Sequence, residues 1–246
     1  EPVRLSADAV TSATSPLGTR HECRLEGLTP DAVYRYGVTA ATADGKRIVT
    51  PLYTFRTAPP KGAGTFSFAF ISDSREGVGG GERNYMGCNL LILRQLITDA
   101  GRRNAEFLIF GGDLVNGYTT ETEDFRLQLK GWKQAVSGFW RSRAVLPAMG
   151  NHETLLRAFR VDDDWVALDR WDANGYADVS AEAVFAQEFV NPLNGPEPSD
   201  ARRPTYKENV YSFQYGPVLC VAFNNNYWWS TNDKVGRYGG SPEGYI

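Results

Sequence analysis

The chain has 246 residues, of which 42% are hydrophobic and 13% aromatic. This composition supports a sizeable core and excludes a disordered protein. The formal net charge is −3 and the Lys and Arg residues are scattered, so no nucleic-acid-binding surface is indicated. No apolar run approaches the ~20 residues that a membrane-spanning helix needs. The three cysteines lack the spacing of a metal site or a disulfide framework and leave the cellular compartment open.

The amino-terminal part, residues 1–59, has the pattern of short β-strands. Three strand-like runs are found at 20–25, 33–38 and 52–56, and a hairpin turn is indicated at Asp44-Gly45. Residues 28–34 have the form of a tyrosine corner, in which Tyr34 bonds back to upstream backbone. The stretch resembles the last part of a fibronectin type III-like β-sandwich, and with four strands at most we expect a partial one.

Residues 60–64, Pro-Lys-Gly-Ala-Gly, are predicted to form a linker. An α/β domain is predicted over 65–246, built on three apolar strands that each end in polar residues. The strand near 66–72 ends at Asp73, the one near 107–110 at Asp113, and the one near 144–150 at Asn151-His152. Ligands bind at the carboxyl ends of parallel strands, so we expect these four side chains to converge. Their oxygen and nitrogen atoms suit a metal site.

Helices are predicted between the strands. Asn89 is expected to cap a helix that reaches Arg103. A capping box over Thr120–Glu123 is expected to open a second helix. The apolar face of that helix is core, formed by Phe125, Leu129, Trp132, Val136 and Phe139. A short helix is predicted at 181–189, and two strands over 209–223 are predicted to join at Gly216-Pro217.

Two further stretches allow more than one interpretation. Gly79–Gly81 lacks the spacing of the known phosphate-binding loops and is interpreted as a flexible loop. A nucleotide-binding role would require affinity for ATP that chelators leave unchanged. Asp162–Asp164 lacks the spacing of a calcium loop and is interpreted as a solvated acidic turn.

Four segments together resemble the calcineurin-like metallophosphoesterases. They are Asp73-Ser74-Arg75, Gly112–Asn116, Gly150-Asn151-His152-Glu153 and the hairpin segment Tyr211–Gly216. With a β-sandwich in front, the nearest relatives in appearance are purple acid phosphatase-like. The resemblance implies a layered sheet with flanking helices, preceded by the small partial sandwich.

The resemblance also implies an activity, the hydrolysis of phosphate esters by a metal-activated water. Two divalent or trivalent metal ions (Fe, Zn, Mn or Ca) would be bound, with Asp113 bridging them. Asp73 would bind the first ion and Asn151 the second. His152 would stabilise the charge of the transition state or protonate the leaving oxygen. The substrate would be a phosphorylated small molecule or another ester, and the sandwich suggests an extracellular or periplasmic location.

The chain departs from the family pattern in two ways. Arg75 and Asn116 stand where a His and a Tyr are usual; Arg75 would either bind the phosphate in a bidentate fork or form a structural salt bridge. The later histidines of the family are missing, since His21 and His152 are the only two. We therefore expect that the chain is cropped at both ends, and that the missing histidines lie in a carboxyl-terminal segment or in a second polypeptide left by cleavage after Trp229. The alternative is a non-catalytic binding protein with a degenerate metal site.

Overall fold

A computed structural model describes residues 7–15, 17–75, 84–117, 119, 121–153, 160–161, 164–165, 180–198 and 204–224. Within these ranges there are three helices and several small sheets. The Gly79–Gly81 loop, Asp162-Asp163 and the segment after Asn224 lie outside the described residues. No helix in the described ranges is both long enough and apolar enough to cross a membrane.

The amino-terminal part forms six strands, where at most four were predicted. They are β1 (Val10–Ser15), β2 (Gly18–Glu22), β3 (Val33–Tyr36), β4 (Thr39–Ala41), β5 (Arg47–Val49) and β6 (Tyr53–Arg56). The pairs are β1–β2, β3–β6 and β4–β5, all antiparallel. The additional strands were missed because they are short or rich in Ser, Thr and Ala, and so lack the apolar alternation on which the prediction depended.

The predicted tyrosine corner is present as a hydrogen bond. The backbone N–H of Thr29 donates to Tyr34 Oη at 2.7 Å. The assignment of the region to a fibronectin type III-like sandwich, and the domain boundaries near 59 and 65, stay predictions.

The remaining elements form the α/β part of the chain. In order they are β7 (Phe68–Ile71), β8 (Asn84–Tyr85), β9 (Cys88–Asn89), α1 (Leu90–Arg102), β10 (Phe107–Phe110), α2 (Thr122–Trp140), β11 (Ala144–Pro147), β12 (Arg160–Val161), β13 (Asp164–Trp165), α3 (Ala181–Glu188), β14 (Tyr211–Tyr215) and β15 (Val218–Ala222). The strands β7, β10 and β11 make a parallel sheet in the order β11-β10-β7. Their carboxyl ends therefore lie side by side, as predicted.

The two faces of this sheet are covered unequally. Leu108 and Phe110 point to one face and join a core cluster with residues of α1 and α2. Phe107 points to the other face, where its ring contacts Tyr215 of the β14–β15 hairpin with 4.7 Å between centroids. The edge strand β7 was expected to be buried on both faces, which is wrong: Phe70 is 65% exposed. The cause is that the hairpin covers β10, while the described residues leave Phe70 open.

The helix predictions were confirmed in part. The first helix has Asn89 as its N-cap, with Asn89 Oδ1 accepting from Ile92 N–H at 3.3 Å. The predicted apolar face of α2 is buried throughout. The predicted capping box is wrong, because α2 has Glu121 as its N-cap and that side chain makes no capping bond. A start at Thr122 places Glu123 too early in the first turn to complete the box.

The amino-terminal strands are attached to the α/β part by hydrogen bonds to helix ends. Arg20 Nη1 donates to Ala186 O of α3 at 3.0 Å, and Tyr36 Oη donates to Arg141 O after α2 at 2.7 Å. The carbonyl groups of the last helical turn have no partner within the helix, which makes them good acceptors for such side chains.

Candidate functional site at the carboxyl edge of the sheet

The loops that follow β7, β10 and β11 are in direct contact. The backbone N–H of Asp73 donates to Gly112 O at 3.1 Å, and Ser74 Oγ donates to Leu114 O at 2.7 Å. Gly112 has φ +98°, and a Cβ placed on it would lie 2.6 Å from Gly150 Cα. The glycine pair thus lets two loop backbones touch, which no larger residue would permit.

Asp113 lies at the centre of the site. It is 8% exposed and has a left-handed backbone with φ +53°. Its Oδ1 accepts the backbone N–H of His152 at 3.1 Å. Its Oδ2 lies 3.6 Å from Arg75 Nε and 3.9 Å from His152 Nε2. Three of the predicted site residues therefore meet, with the negative charge of Asp113 facing the guanidinium of Arg75.

The imidazole of His152 is oriented by a backbone carbonyl. His152 Nδ1 lies 2.7 Å from Asn116 O. A carbonyl oxygen can only accept, so Nδ1 carries the hydrogen in this bond. Nε2 then faces Asp113, and it is the ring nitrogen that can exchange a proton with a bound ligand. Asn116, which stands where a metal-binding Tyr was expected, contributes its backbone to this arrangement.

Asp73 and Asn151 lie at the solvent side of the same edge. Both residues are exposed, and Asp73 has φ +57°. Asp73 Oδ2 accepts from Ser72 Oγ at 2.5 Å. Asn151 lies between Gly150, which packs on Gly112, and His152, whose N–H binds Asp113. The sheet thus brings all five predicted residues to one edge.

Glu153 is a residue of this site to which the sequence analysis gave no role. It is 1% exposed, and its carboxylate accepts backbone N–H groups from both loops. Oε2 accepts from Asp113 at 2.9 Å and Gly150 at 2.7 Å, and Oε1 accepts from Leu114 at 2.9 Å and Val115 at 3.3 Å. The Gly-Asn-His-Glu motif does not by itself signal this role, because three of the four donors belong to the Asp113 loop, about 40 residues earlier in the chain.

Opposing effects act on the carboxyl group of Glu153. Burial raises the pKa of Glu153 to about 8, and the negative charge of Asp113 acts in the same direction. Its backbone N–H donors act to lower the pKa, because they stabilise the ionised form. Through these N–H donors the side chain of Glu153 joins the Asp113 loop to the His152 loop.

The described residues provide a partial donor set for metal ions. Asp73, Asp113 and Asn151 offer oxygen atoms of the kind that hard cations bind. However, no three His, Cys, Asp or Glu side chains in the described ranges are grouped so that they could hold a metal ion. The donors fit one ion that keeps part of its water. Arg75 Nε lies 3.6 Å from Oδ2 of Asp113, the carboxylate that was predicted to bridge two ions.

Comparisons with known proteins find similar structures but no matching sequence family. No protein-family model and no curated protein matches the sequence. The purple acid phosphatase PPD1 from yellow lupin (Lupinus luteus) seeds is similar in structure, with a TM-score of 0.53 and 18% identity over 85% of this chain and 35% of that one. PhoD is similar with a TM-score of 0.51 and 13% identity over 87% of this chain and 39% of that one.

The chain thus spans between a third and two fifths of the length of these structures. At such low identity the likeness concerns the fold. The recognition of a purple acid phosphatase-like fold is confirmed, since both neighbours are of the metallophosphoesterase type. The chain therefore has a metallophosphoesterase-type fold of the purple acid phosphatase kind.

Proposed function

We propose that the chain hydrolyses phosphate esters at the carboxyl edge of its sheet with the help of bound metal. The observation that carries the proposal is the surrounding of Asp113, whose buried carboxylate has Arg75 at 3.6 Å and His152 Nε2 at 3.9 Å. A fixed carboxylate, a guanidinium and an oriented imidazole are the groups that metal binding, phosphate binding and proton transfer require. The fold similarity to a purple acid phosphatase supports the same activity.

Each residue has a proposed role. Asp73, Asp113 and Asn151 would bind metal through oxygen. A bound ion would supply charge neutralisation and an activated water. Arg75 would bind phosphate oxygens, since its side chain is 38% exposed and so remains accessible. His152 would donate a proton to the leaving oxygen or stabilise the charge of the transition state, because its ring is already held by Asn116 O.

An extension of the proposal is that the site binds two metal ions. It would use Fe, Zn, Mn or Ca and would need ligands beyond the described residues. Apart from His152 the only histidine of the sequence is His21, which lies on the exposed strand β2 and pairs with Thr11. The additional histidines would come from a further segment of the chain or from a second polypeptide.

The test is hydrolysis of p-nitrophenyl phosphate by the wild type and by Asp113→Ala. We expect a loss of kcat/KM of at least ~10²-fold, because the variant removes the carboxylate that organises the site. Asp44→Ala is the matched control, since Asp44 lies in the exposed turn between β4 and β5 and should leave activity unchanged. Full activity in Asp113→Ala would reject the assigned role of Asp113.

A second candidate is a phosphate-binding protein without turnover on the same fold. The pairing of Arg75 with Asp113 favours this candidate, because the guanidinium partly neutralises the negative charge that would attract a metal ion. Binding of inorganic phosphate that persists in EDTA, together with absent hydrolysis, would support this candidate over the enzyme.

A further inference from the structure

Arg75 Nε has an unusual environment. The atom is buried and has no hydrogen-bond partner among the described residues. Asp113 Oδ2, at 3.6 Å, is within ion-pair distance but too far for a hydrogen bond. A buried N–H donor without a partner is costly, so this place favours an additional acceptor such as an oxygen atom of a bound anion.

The backbone before and at Arg75 is held on two sides, so the guanidinium is not placed by a mobile chain. Asn89 N–H donates to Ser74 O at 2.8 Å. Ser74 Oγ donates to Leu114 O at 2.7 Å, and Arg75 forms a β-bridge with Cys88, which is fully buried. Both the Asp113 loop and the strand before α1 therefore fix the position of Arg75.

The two oxygen atoms of the Asp113 carboxylate have different neighbours. Oδ1 accepts the backbone N–H of His152 at 3.1 Å, whereas Oδ2 lies near Arg75 Nε and His152 Nε2. Two ions that share a ligand lie ~3.5–4 Å apart. Arg75 Nε is 3.6 Å from Oδ2, so a fixed positive charge already lies beside the carboxylate that two such ions would share, and it would repel a second ion there.

We propose that the site binds one metal ion and that the guanidinium of Arg75 supplies the second positive charge. A phosphate group would then bridge the ion and the guanidinium, and one of its oxygens would accept the Nε–H of Arg75. The ion would be bound by oxygen atoms of Asp113 with Asp73 or Asn151. This inference deepens the proposed function and rests on it for the identity of the ligand as a phosphate.

The test is the number of manganese ions bound per chain, measured by native mass spectrometry after saturation with Mn²⁺. We expect one ion in the wild type. Arg75→His removes the fixed charge beside Asp113 and adds an imidazole ligand, so we expect its affinity for the bound Mn²⁺, measured by calorimetry, to rise by ~10-fold or more. Arg24→His is the control, because Arg24 is highly exposed and paired with Glu26; it adds a histidine elsewhere and should keep one ion with unchanged affinity.

A second variant separates the charge of Arg75 from any effect on folding. Arg75→Gln should keep one ion and weaken the affinity for inorganic phosphate by ~10-fold or more, measured by calorimetry on the Mn²⁺-loaded chain. Unchanged phosphate affinity in folded Arg75→Gln would overturn the role of the guanidinium. Circular dichroism and the thermal midpoint identify variants that fail to fold.

The metal count and the activity give separate answers. Two ions in the wild type, or none, would overturn the one-ion inference, and so would a folded Arg75→His variant whose affinity for Mn²⁺ is unchanged. If the wild type binds two ions and hydrolyses p-nitrophenyl phosphate, the proposed function stands and only the inference fails. One ion and phosphate affinity without hydrolysis would overturn the catalytic function and leave the inference intact.

Discussion

The two strand ends that carry an Asp have the same local backbone conformation but different surroundings. Asp113 and Asp73 each follow an apolar strand, and both have a left-handed backbone with φ +53° and +57°. Asp113 is 8% exposed, and its carboxylate is contacted by His152 and Arg75. Asp73 is exposed, and its carboxylate accepts a hydrogen bond from the neighbouring Ser72.

The difference follows from the position of the strands and from Glu153. The strand before Asp113 is central in the sheet, whereas the strand before Asp73 is at the edge. Glu153 binds the backbone N–H groups of Asp113 and of the two residues that follow it. Asp113 therefore has a fixed geometry, while Asp73 can adjust to a ligand. The strand pattern thus brings an acidic residue to the edge of the sheet, and the groups around that residue determine how firmly its carboxylate is held.

Among the variants that test this difference, Glu153→Gln should lower the free energy of unfolding most. The variant keeps the size of the side chain but places an amide NH₂ against backbone N–H donors. We expect unfolding to become easier by ~2–6 kcal/mol, because two of the four buried N–H donors would lose their acceptor oxygen, at ~1–3 kcal/mol each. Urea denaturation at neutral pH measures this change.

Glu197→Gln is the control for Glu153→Gln. Glu197 is exposed, and its substitution should change the free energy of unfolding by less than ~0.5 kcal/mol. If Glu153→Gln were equally mild, Glu153 would not be the group that holds the Asp113 loop, and the contrast between the two strand ends would need another cause.

The second effect concerns the contact between the loops. Gly112→Ala would place a Cβ 2.6 Å from Gly150 Cα at φ +98°. We expect a loss of ~2–4 kcal/mol from the combination of backbone strain and overlap. Gly45→Ala is the matched control, since Gly45 has φ +80° with nothing within 4 Å; the strain alone should cost ~1–2 kcal/mol.

A result that ranks these two variants equally would contradict the close packing of the loops. Thermal denaturation followed by circular dichroism is sufficient to compare them. The difference between the two variants isolates the steric term, because both glycines have a left-handed backbone.

The sequence predicted the order of the site residues along the chain better than their environments. The apolar runs before Asp73, Asp113 and Asn151 were enough to predict parallel strands with adjacent carboxyl ends. The same runs did not distinguish the central strand from the edge, because Phe68 and Phe70 look as apolar as the residues of β10. Burial depends on what packs against a strand, and that information is not local.

The roles of Glu153 and of the amino-terminal strands were missed for related reasons. A Glu at the end of a motif has the same letter whether it lies in solvent or accepts N–H groups from another loop. Likewise, Val10–Ser15 pairs with Gly18–Glu22 through backbone hydrogen bonds. The Ser and Thr side chains of Val10–Ser15 show no apolar alternation that would have predicted this strand. Both features become visible only when distant segments are brought together.

A buried carboxyl group away from both strand ends provides a reference for Glu153. Burial raises the pKa of Glu182 to about 7 from 4.5, against hydrogen bonds from its own backbone and from Ser180 and Asn224. Since the folded pKa is the higher one, the folded chain holds the proton more tightly than the unfolded chain. The stability that this group contributes is present below pH 4.5 and is lost as the pH rises toward 7.

Glu182→Gln should remove this pH dependence. Relative to the wild type, we expect the variant to gain ~1–3 kcal/mol of stability between pH 4.5 and 7.5, because Gln cannot ionise. Urea denaturation at a series of pH values measures the difference. If the difference in the free energy of unfolding between the two proteins were constant from pH 4.5 to 7.5, Glu182 would not titrate in this range.

The smallest effect on stability is expected at the exposed strand end. Asp73→Asn should change the free energy of unfolding by less than ~0.5 kcal/mol, because its carboxylate is exposed and the amide oxygen can still accept the hydrogen bond from Ser72. Its affinity for Mn²⁺ should nevertheless fall by ~10-fold or more, since an amide oxygen is a weaker ligand than a carboxylate. Asp113→Asn should lower both quantities, because it also weakens the contact with Arg75. Equal losses of stability in the two variants would remove the distinction between a fixed and an adjustable acid, so this pair tests the comparison with the least disturbance of the fold.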